Sequence, residues 1–328
     1  MHVLIIGAAG MIGRKLTSRL VEDGSISGQP IDTLTLSDVV EPPLPTGFSG
    51  KVSSVVVDLS YPSNAQSLIA SRPDMIFHLA AVVSGEAEAD FEKGYRINLG
   101  GSGALFEAIR TEGLKHPYRP RVVFCSSIAV FGPPFAEPIG DDFITAPQTS
   151  YGTQKAMTEL LLADYSRRGF LDGIGIRLPT ICVRPGKPNA AASGFFSNIL
   201  REPLVGQDAV LPVDPSVRHW FASPRAAIGF LLHGASLELT QLGTRRTLNM
   251  PGLSATVGDE IEALRTVAGE KAVRLIRHEP DEKIIKIVDG WPYNFQPDRA
   301  IALGFRAETS FAEIIHAHIE DELGGNLP

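Results

Sequence analysis

The 328-residue chain is 44% hydrophobic and 20% charged, with a formal net charge of −7, the balance of an ordinary globular protein. The acidic sum argues against a nucleic-acid partner, which needs a clustered basic surface, and no apolar run approaches the roughly 20 residues of a membrane helix. The chain enters an apolar strand at Val3 with no signal-peptide pattern before it, which predicts a cytoplasmic protein, and its length predicts one large domain plus a smaller one.

Taken in chain order, short β-rich runs alternate with helix-periodic segments through the first half. Strands are expected at Val3–Ile6, Thr33–Leu36, Ser54–Val57, Met75–Leu79, Val122–Cys125 and Ile174–Leu178. Between them lie amphipathic helices, one carrying Ile12, Leu16 and Leu20 on a single face. Such alternation builds right-handed βαβ units and an α/β, doubly wound parallel sheet, in which ligands bind beyond the carboxyl ends of the strands. After about residue 178, stretches rich in proline and glycine (Arg184 to Pro188, Leu211 to Pro215) read as pocket-shaping loops. A helix from Arg225 to Leu232 and a strand at Thr247–Met250 return to the sheet, followed by helices at Val257–Ala268 and Phe311–Leu323. Cys125 and Cys182 sit in β-like segments outside any metal-ligand spacing, so reduced core thiols and no metal site are expected.

The first strand runs into Gly7-Ala-Ala-Gly10-Met-Ile-Gly13 and then a helix, the context that gives a glycine triplet its meaning. Gly7 permits the tight turn, Gly10 lets the backbone near a pyrophosphate, and Gly13 allows close helix–strand contact. Met11 and Ile12 lie at the positive end of the helix dipole, where the phosphates belong. Asp38 ends the second strand, where a carboxylate accepts from the adenosine ribose and repels a 2′-phosphate, so NAD is expected over NADP. Asp58 closes the third strand as a partner for the adenine amino group, with Leu59 beside it. The result is a Rossmann-type NAD-binding domain at 1–176 and 219–250, with a smaller substrate-binding domain at 177–218 and 251–328.

Tyr151-Gly-Thr-Gln-Lys155 opens a helical segment, and i, i+4 spacing puts phenol and ammonium on one face. A free tyrosine, with a pKa near 10, is a poor base at neutral pH. An ammonium about 4 Å away contributes on the order of 4 kcal/mol at an effective dielectric of 20, roughly three pKa units, which brings the phenol near 7. Ser126 and Ser127, just past the strand Val122–Cys125, place a hydroxyl beside the nicotinamide where it can hold the reacting oxygen.

These motifs, with His78-Leu-Ala-Ala81, Asn98 and Ser126-Ser-Ile-Ala-Val-Phe-Gly132, resemble the extended short-chain dehydrogenase/reductases, the NAD-dependent epimerase/dehydratase family. The resemblance covers essentially the whole chain. It implies Ser127 as the catalytic hydroxyl, Tyr151 as acid/base, and Lys155 as both tuner of Tyr151 and ligand of the nicotinamide ribose. It implies that Leu79, Ala80 and Ala81 line the cofactor and that Pro179 and Ile181 flank the nicotinamide. Asn98 joins the cofactor region, where it and His78 brace strand and helix. It also implies a homodimer through the helices around Asn98–Arg110 and Tyr151–Arg168.

Three departures from the family pattern narrow the reaction. Family dehydratases carry an acidic pair where Ile128 and Ala129 stand, which removes dehydration. Nucleotide-sugar epimerases carry an asparagine where Thr180 stands, and an acidic pair where Ser223-Pro224 stands. More narrowly, Gly7 to Arg14, His78 to Glu88 and Arg177 to Pro185 are similar to the D-erythronate dehydrogenases of sugar-acid catabolism. That likeness implies NAD-dependent oxidation of the C2 hydroxyl of a short aldonate, with a nucleotide-sugar 4-epimerase holding NAD tightly as the alternative. A small anionic substrate in an acidic protein needs a local cation, and Arg184 and Arg218 are both candidates for a bidentate carboxylate contact. Thr180, Ser193 and Asn189 are candidates for substrate hydroxyls, while His219 and Trp220 read as packing residues.

Overall fold

Val3, Leu4, Ile5 and Ile6 are each at most 2% exposed, as a strand covered on both faces requires. They belong to β1 (His2–Ile6) of a computed structural model of the chain, which describes residues 1–135, 138–186 and 192–327. β2 (Thr33–Asp38), β3 (Lys51–Val56), β4 (Met75–His78), β5 (Arg121–Ser127) and β6 (Asp172–Leu178) complete the main sheet with a short strand, Thr247–Asn249. Its order is β3-β2-β1-β4-β5-β6 and then Thr247–Asn249. β1 pairs in parallel with β2 and β4, β2 with β3, and β4 with β5. This is a Rossmann-like α/β fold. The order reverses between β1 and β4, so the crevice outside their carboxyl ends is the topological switch point.

The helices that matter for the site are α1 (Met11–Asp23), α2 (Pro62–Ile69), α3 (Ser84–Ala89), α4 (Ser102–Lys115) and α5 (Ser150–Arg167). Leu68 and Ile69 of α2, Phe106 and Ile109 of α4, and Leu162 of α5 pack on Leu4, Ile76 and Phe124 of the strands in one apolar core. β5 is longer than the apolar run Val122–Cys125 announced. It extends through Ser126 and Ser127, because sheet pairing continues where hydrophobicity stops. Among the described residues no helix is long and apolar enough to cross a membrane. Cys125 and Cys182 are free thiols, Cys182 buried and Cys125 half-buried.

The chain divides into two compact units. The first holds Met1–Ser127, Thr149–Arg177 and Ile228–Leu248, and the second holds Ile128–Gln148, Leu178–Ala227 and the chain from Asn249 onward. Residues 128–148, 219–227 and 249–250 therefore go with the second unit, where the sequence pattern groups them with the first, and Arg177 goes with the first rather than the second. The pairing explains it. In the second unit β7 (Thr180–Ile181) and β9 (Leu253–Thr256) flank β8 (Arg218–Ala222), parallel and antiparallel respectively, and Ile139 pairs with Phe295. Around this small sheet α6 (Gly194–Leu204), α7 (Val257–Ala268) and α8 (Phe311–Glu322) bury Phe196, Ile199, Phe221, Leu264, Ile314 and Ile315.

Candidate functional site

At the switch point the glycine turn is shaped by contact. Gly7 has φ +93°, and a Cβ there would lie 2.6 Å from the amide nitrogen of Ala80, just past β4. At Gly13 a Cβ would strike the Gly7 carbonyl and lie 2.7 Å from Cα of Ala8, so α1 can sit this close to β1 only without a side chain. Gly10 is the extended residue before α1, and the helix has neither a side-chain cap nor an acidic residue in its first turn. Its leading N–H groups, from half-buried Met11 and Ile12, suit an anion, as a dinucleotide pyrophosphate is.

Asp38 reaches across from β2 to this turn. Its Oδ2 accepts from the Ala9 amide at 2.9 Å and its Oδ1 from the Val39 amide at 2.7 Å. A fixed negative charge thus stands beside the cradle. Asp58 accepts from the Ser60 amide at 2.9 Å and pairs with Arg96 at 3.1 Å. Burial opposes its charge, but the hydrogen bonds from Ser60 and the Arg96 guanidinium prevail and hold the carboxyl below its usual range. Leu59 turns its side chain into the core of the first unit.

The backbone from Leu79 to Val82 runs beside the glycine turn. Leu79 and Ala80 both donate to the Ile6 carbonyl, at 2.8 and 3.0 Å, and Ala80 and Ala81 are half-buried. Asn98, in a π-helical turn (Tyr95–Gly101), grips this segment. It accepts from the Val82 amide at 2.8 Å, donates to the Val82 carbonyl at 3.1 Å and donates to Gln154 Oε1 at 2.7 Å. Its amide is committed to protein, so it positions the segment rather than meeting a ligand. His78 is buried and bonds Ser102 at 2.8 Å, and burial lowers its pKa to about 3.

Thr149 caps α5 by accepting from the Gly152 amide, which sets Tyr151 in the first turn and Lys155 one turn on. Lys155 is 3% exposed. Its ammonium donates to the Cys125 carbonyl at 2.8 Å and lies 4.8 Å from the Phe124 ring centre and 5.6 Å from that of Tyr151. Burial holds it below the ordinary lysine range, against the pull of Cys125 and Glu159. The ammonium is thereby pinned between the carboxyl end of β5 and the tyrosine, within cation–π reach.

Ser126 and Ser127 occupy successive positions of β5 and point to opposite faces. Ser127 is half-buried at the strand's end. Ser126 is 2% exposed and donates to Glu159 Oε1 at 2.5 Å, so the structure does not bring it to the substrate role expected from sequence. Glu159 in turn takes both Arg177 Nε and Nη2, at 3.0 and 2.6 Å. Glu159, Arg177 and Gln154 were missed by sequence reasoning, although the i, i+4, i+8 spacing of Tyr151, Lys155 and Glu159 carried a signal.

In the second unit, buried Pro179 and Ile181 flank half-buried Thr180, whose hydroxyl lies 2.6 Å from His219 Nε2. His219 is buried, stacks on Phe196 at 5.2 Å, and has its pKa lowered to about 3, chiefly by burial and then by Arg184. Trp220 donates to the Met250 carbonyl at 3.2 Å, a packing role. Half-buried Arg184 donates to the Ile181 carbonyl at 2.9 Å and to Ser193 Oγ at 2.8 Å. Arg218 is exposed and donates to the Ser254 carbonyl at 3.2 Å. Asn189 lies outside the described residues.

Residues 3–220 match the model of the NAD-dependent epimerase/dehydratase family. The D-erythronate dehydrogenase of Cupriavidus necator is 49% identical over 326 residues, 98% of each chain. That of Haemophilus influenzae is 42% identical over 323 residues, 98% of this chain and 100% of its own. Among solved structures, an Agrobacterium tumefaciens protein described as a nucleoside-diphosphate-sugar epimerase is 67% identical, with a TM-score of 0.98 over 100% of this chain and 96% of the other.

Proposed function

Because the chain belongs to the NAD-dependent epimerase/dehydratase family and is an NAD-dependent dehydrogenase, we propose that it oxidises the C2 hydroxyl of a short aldonic acid, D-erythronate to 2-dehydro-D-erythronate. The observation that carries the reading is the Lys155 ammonium fixed between the Cys125 carbonyl and the Tyr151 ring at the carboxyl end of β5. Two full-length relatives with this named activity support the substrate.

In this reading the first unit holds the dinucleotide. Gly7, Gly10 and Gly13 make room for it, the amides of Met11 and Ile12 face its phosphates, and Asp38 takes the ribose hydroxyls and disfavours a 2′-phosphate. Asp58 and Leu59 border the adenine, and Leu79 to Ala81 line the passage. NAD, when bound, supplies the hydride acceptor. Tyr151 removes the C2 hydroxyl proton, Lys155 favours the phenolate and holds the ribose, and Ser127 orients the oxygen by hydrogen bonding. The C2–H bond gives up hydride as the C=O bond forms, and the proton leaves through Tyr151.

Taken by itself, the second unit offers candidate groups for a carboxylate and for hydroxyls. Arg184 is the better carboxylate ligand, being half-buried beside the Thr180–His219 pair, whereas Arg218 is exposed. Thr180 and Ser193 then meet hydroxyls. We place the protein in the cytoplasm, where a reducing pool keeps both thiols free. A homodimer through α4 and α5 is proposed from the apolar side chains they expose, Leu114 at 70% and Leu160 at 72%.

Purified protein with NAD and D-erythronate should form NADH, followed by ultraviolet absorbance, and Tyr151→Phe should abolish it. The second reading, a nucleotide-sugar 4-epimerase, is favoured by the description of the Agrobacterium relative. Turnover of a UDP-sugar with no NADH from any short aldonate would establish it instead.

A further inference from the structure

Below Tyr151 and Lys155, α5 carries a third ionisable residue on the same face. Glu159 is 6% exposed, and a buried carboxylate needs partners. It has the bidentate Arg177 of β6 and the Ser126 hydroxyl of β5. Ser126 stands between Cys125, whose carbonyl holds the Lys155 ammonium, and Ser127. A continuous run of contacts therefore links Arg177, through Glu159 and Ser126, to the strand end that positions Lys155.

We propose that Glu159 and Arg177 form a positioning pair whose balanced charges set the electrostatic environment of Tyr151 and Lys155, with Ser126 tying that pair to the end of β5. The proposal rests on the reading of Tyr151 as base and Lys155 as its cation. A half-buried guanidinium at the end of this run of contacts, left uncompensated, would favour loss of the proton from both phenol and ammonium, and the Glu159 carboxylate offsets it. Glu159 is among the groups that raise the Lys155 pKa against burial. Other titratable groups near this stretch of α5 include neutral His78, the Cys125 thiol, Glu88 of α3, which accepts from the Ser150 amide at 2.9 Å, and, on the neighbouring turn Tyr95–Gly101, Tyr95 and the Asp58-paired Arg96. The pairs Glu86–Lys93 and Glu107–Arg110 are each internally balanced.

The test uses charge changes of opposite sign. Glu159→Gln leaves the guanidinium uncompensated, and Arg177→Gln leaves the carboxylate uncompensated. Ionisation of Tyr151 is read on the full chain without substrate, as the tyrosinate ultraviolet difference between each protein and its Tyr151→Phe counterpart. The pH profile of kcat/KM is measured beside it. Glu159→Gln should move both downward by about 0.5 pH unit or more, Arg177→Gln should move both upward by a similar amount, and the double variant should return toward the parent. Shifts of the same sign, or lost activity with unmoved ionisation, mark a merely structural pair and overturn the inference.

Ser126→Ala keeps both charges and covers the case in which a single charge variant does not fold. It should lower kcat by about 5-fold, with KM and the pH profile unmoved. An unchanged kcat overturns the positioning role. Failure of the hydroxy-acid reading looks different: no NADH from any short aldonate, with the opposed tyrosinate shifts intact.

Discussion

The Lys155 ammonium and the Cys125 carbonyl oxygen lie 2.8 Å apart, joining the first turns of α5 to the carboxyl end of β5. The hydrogen bond fixes a buried cation where burial alone would favour its neutral form. In the proposed mechanism cation placement and Tyr151 reactivity are one property, and Lys155→Met should lose both. Activity with D-erythronate should fall by about 10²-fold or more, and the acid limb of the pH profile should move upward as the phenol regains its ordinary pKa. Steady-state kinetics across pH checks both, and full activity in this variant would remove Tyr151 as the base.

Asp38 places a carboxylate against the Ala9 amide at 2.9 Å, inside the glycine turn. Asp38→Asn keeps the shape and removes the charge. The preference for NAD over NADP, measured as the ratio of kcat/KM values, should drop by about 10-fold, one Coulombic contact of roughly 1.4 kcal/mol. A preference for NADP in the parent chain would remove Asp38 from the ribose site.

Arg184 and Arg218 separate by burial, the first half-buried and the second exposed. Arg184→Met should raise KM for the aldonate by about 10- to 100-fold, the size of a charge-assisted hydrogen bond of about 1.5–3 kcal/mol, while Arg218→Met should change it less than about 2-fold. The reverse pattern, read from initial rates, would transfer the carboxylate to Arg218.

His78 and His219 are buried, each with a pKa lowered from 6.5 to about 3. Unfolded, each binds a proton below about pH 6.5, whereas folded each stays neutral down to about pH 3. Their stability is present above pH 6.5 and is lost as pH falls through that window. Urea midpoints should decline steadily from pH 7 to pH 4, and His219→Phe should flatten the decline by about one proton's worth. A slope unchanged by that substitution would mean that His219 is solvated when charged.

Much of the first unit was legible because its signals are local. A parallel strand buried on both faces is a continuous apolar run, so Val3–Ile6 announced β1. The glycines that close approach demands at residues 7 and 13 follow it directly, and the i, i+4 spacing of Tyr151 and Lys155 needs only a helix. The edge strand β3 was less clear. It begins at Lys51, three residues before the apolar pattern does, because edge positions tolerate polar side chains.

The chain alone thus determined the α/β sheet, the glycine turn after β1 and the Tyr151–Lys155 pair, each written in neighbouring residues or one helical turn. Only the tertiary structure decided which face Ser126 takes, that Asn98 is used up on Val82 and Gln154, and that β8 belongs to the second unit. The buried face of α5 holds Gln154, Lys155, Thr158 and Glu159, so no hydrophobic period marks it. Such a face is stable only through partners far along the chain: Asn98 is 56 residues from Gln154, and Ser126 is 33 residues from Glu159. Folding, which supplies the hydrogen bonds that buried polar groups require, is what selects those partners.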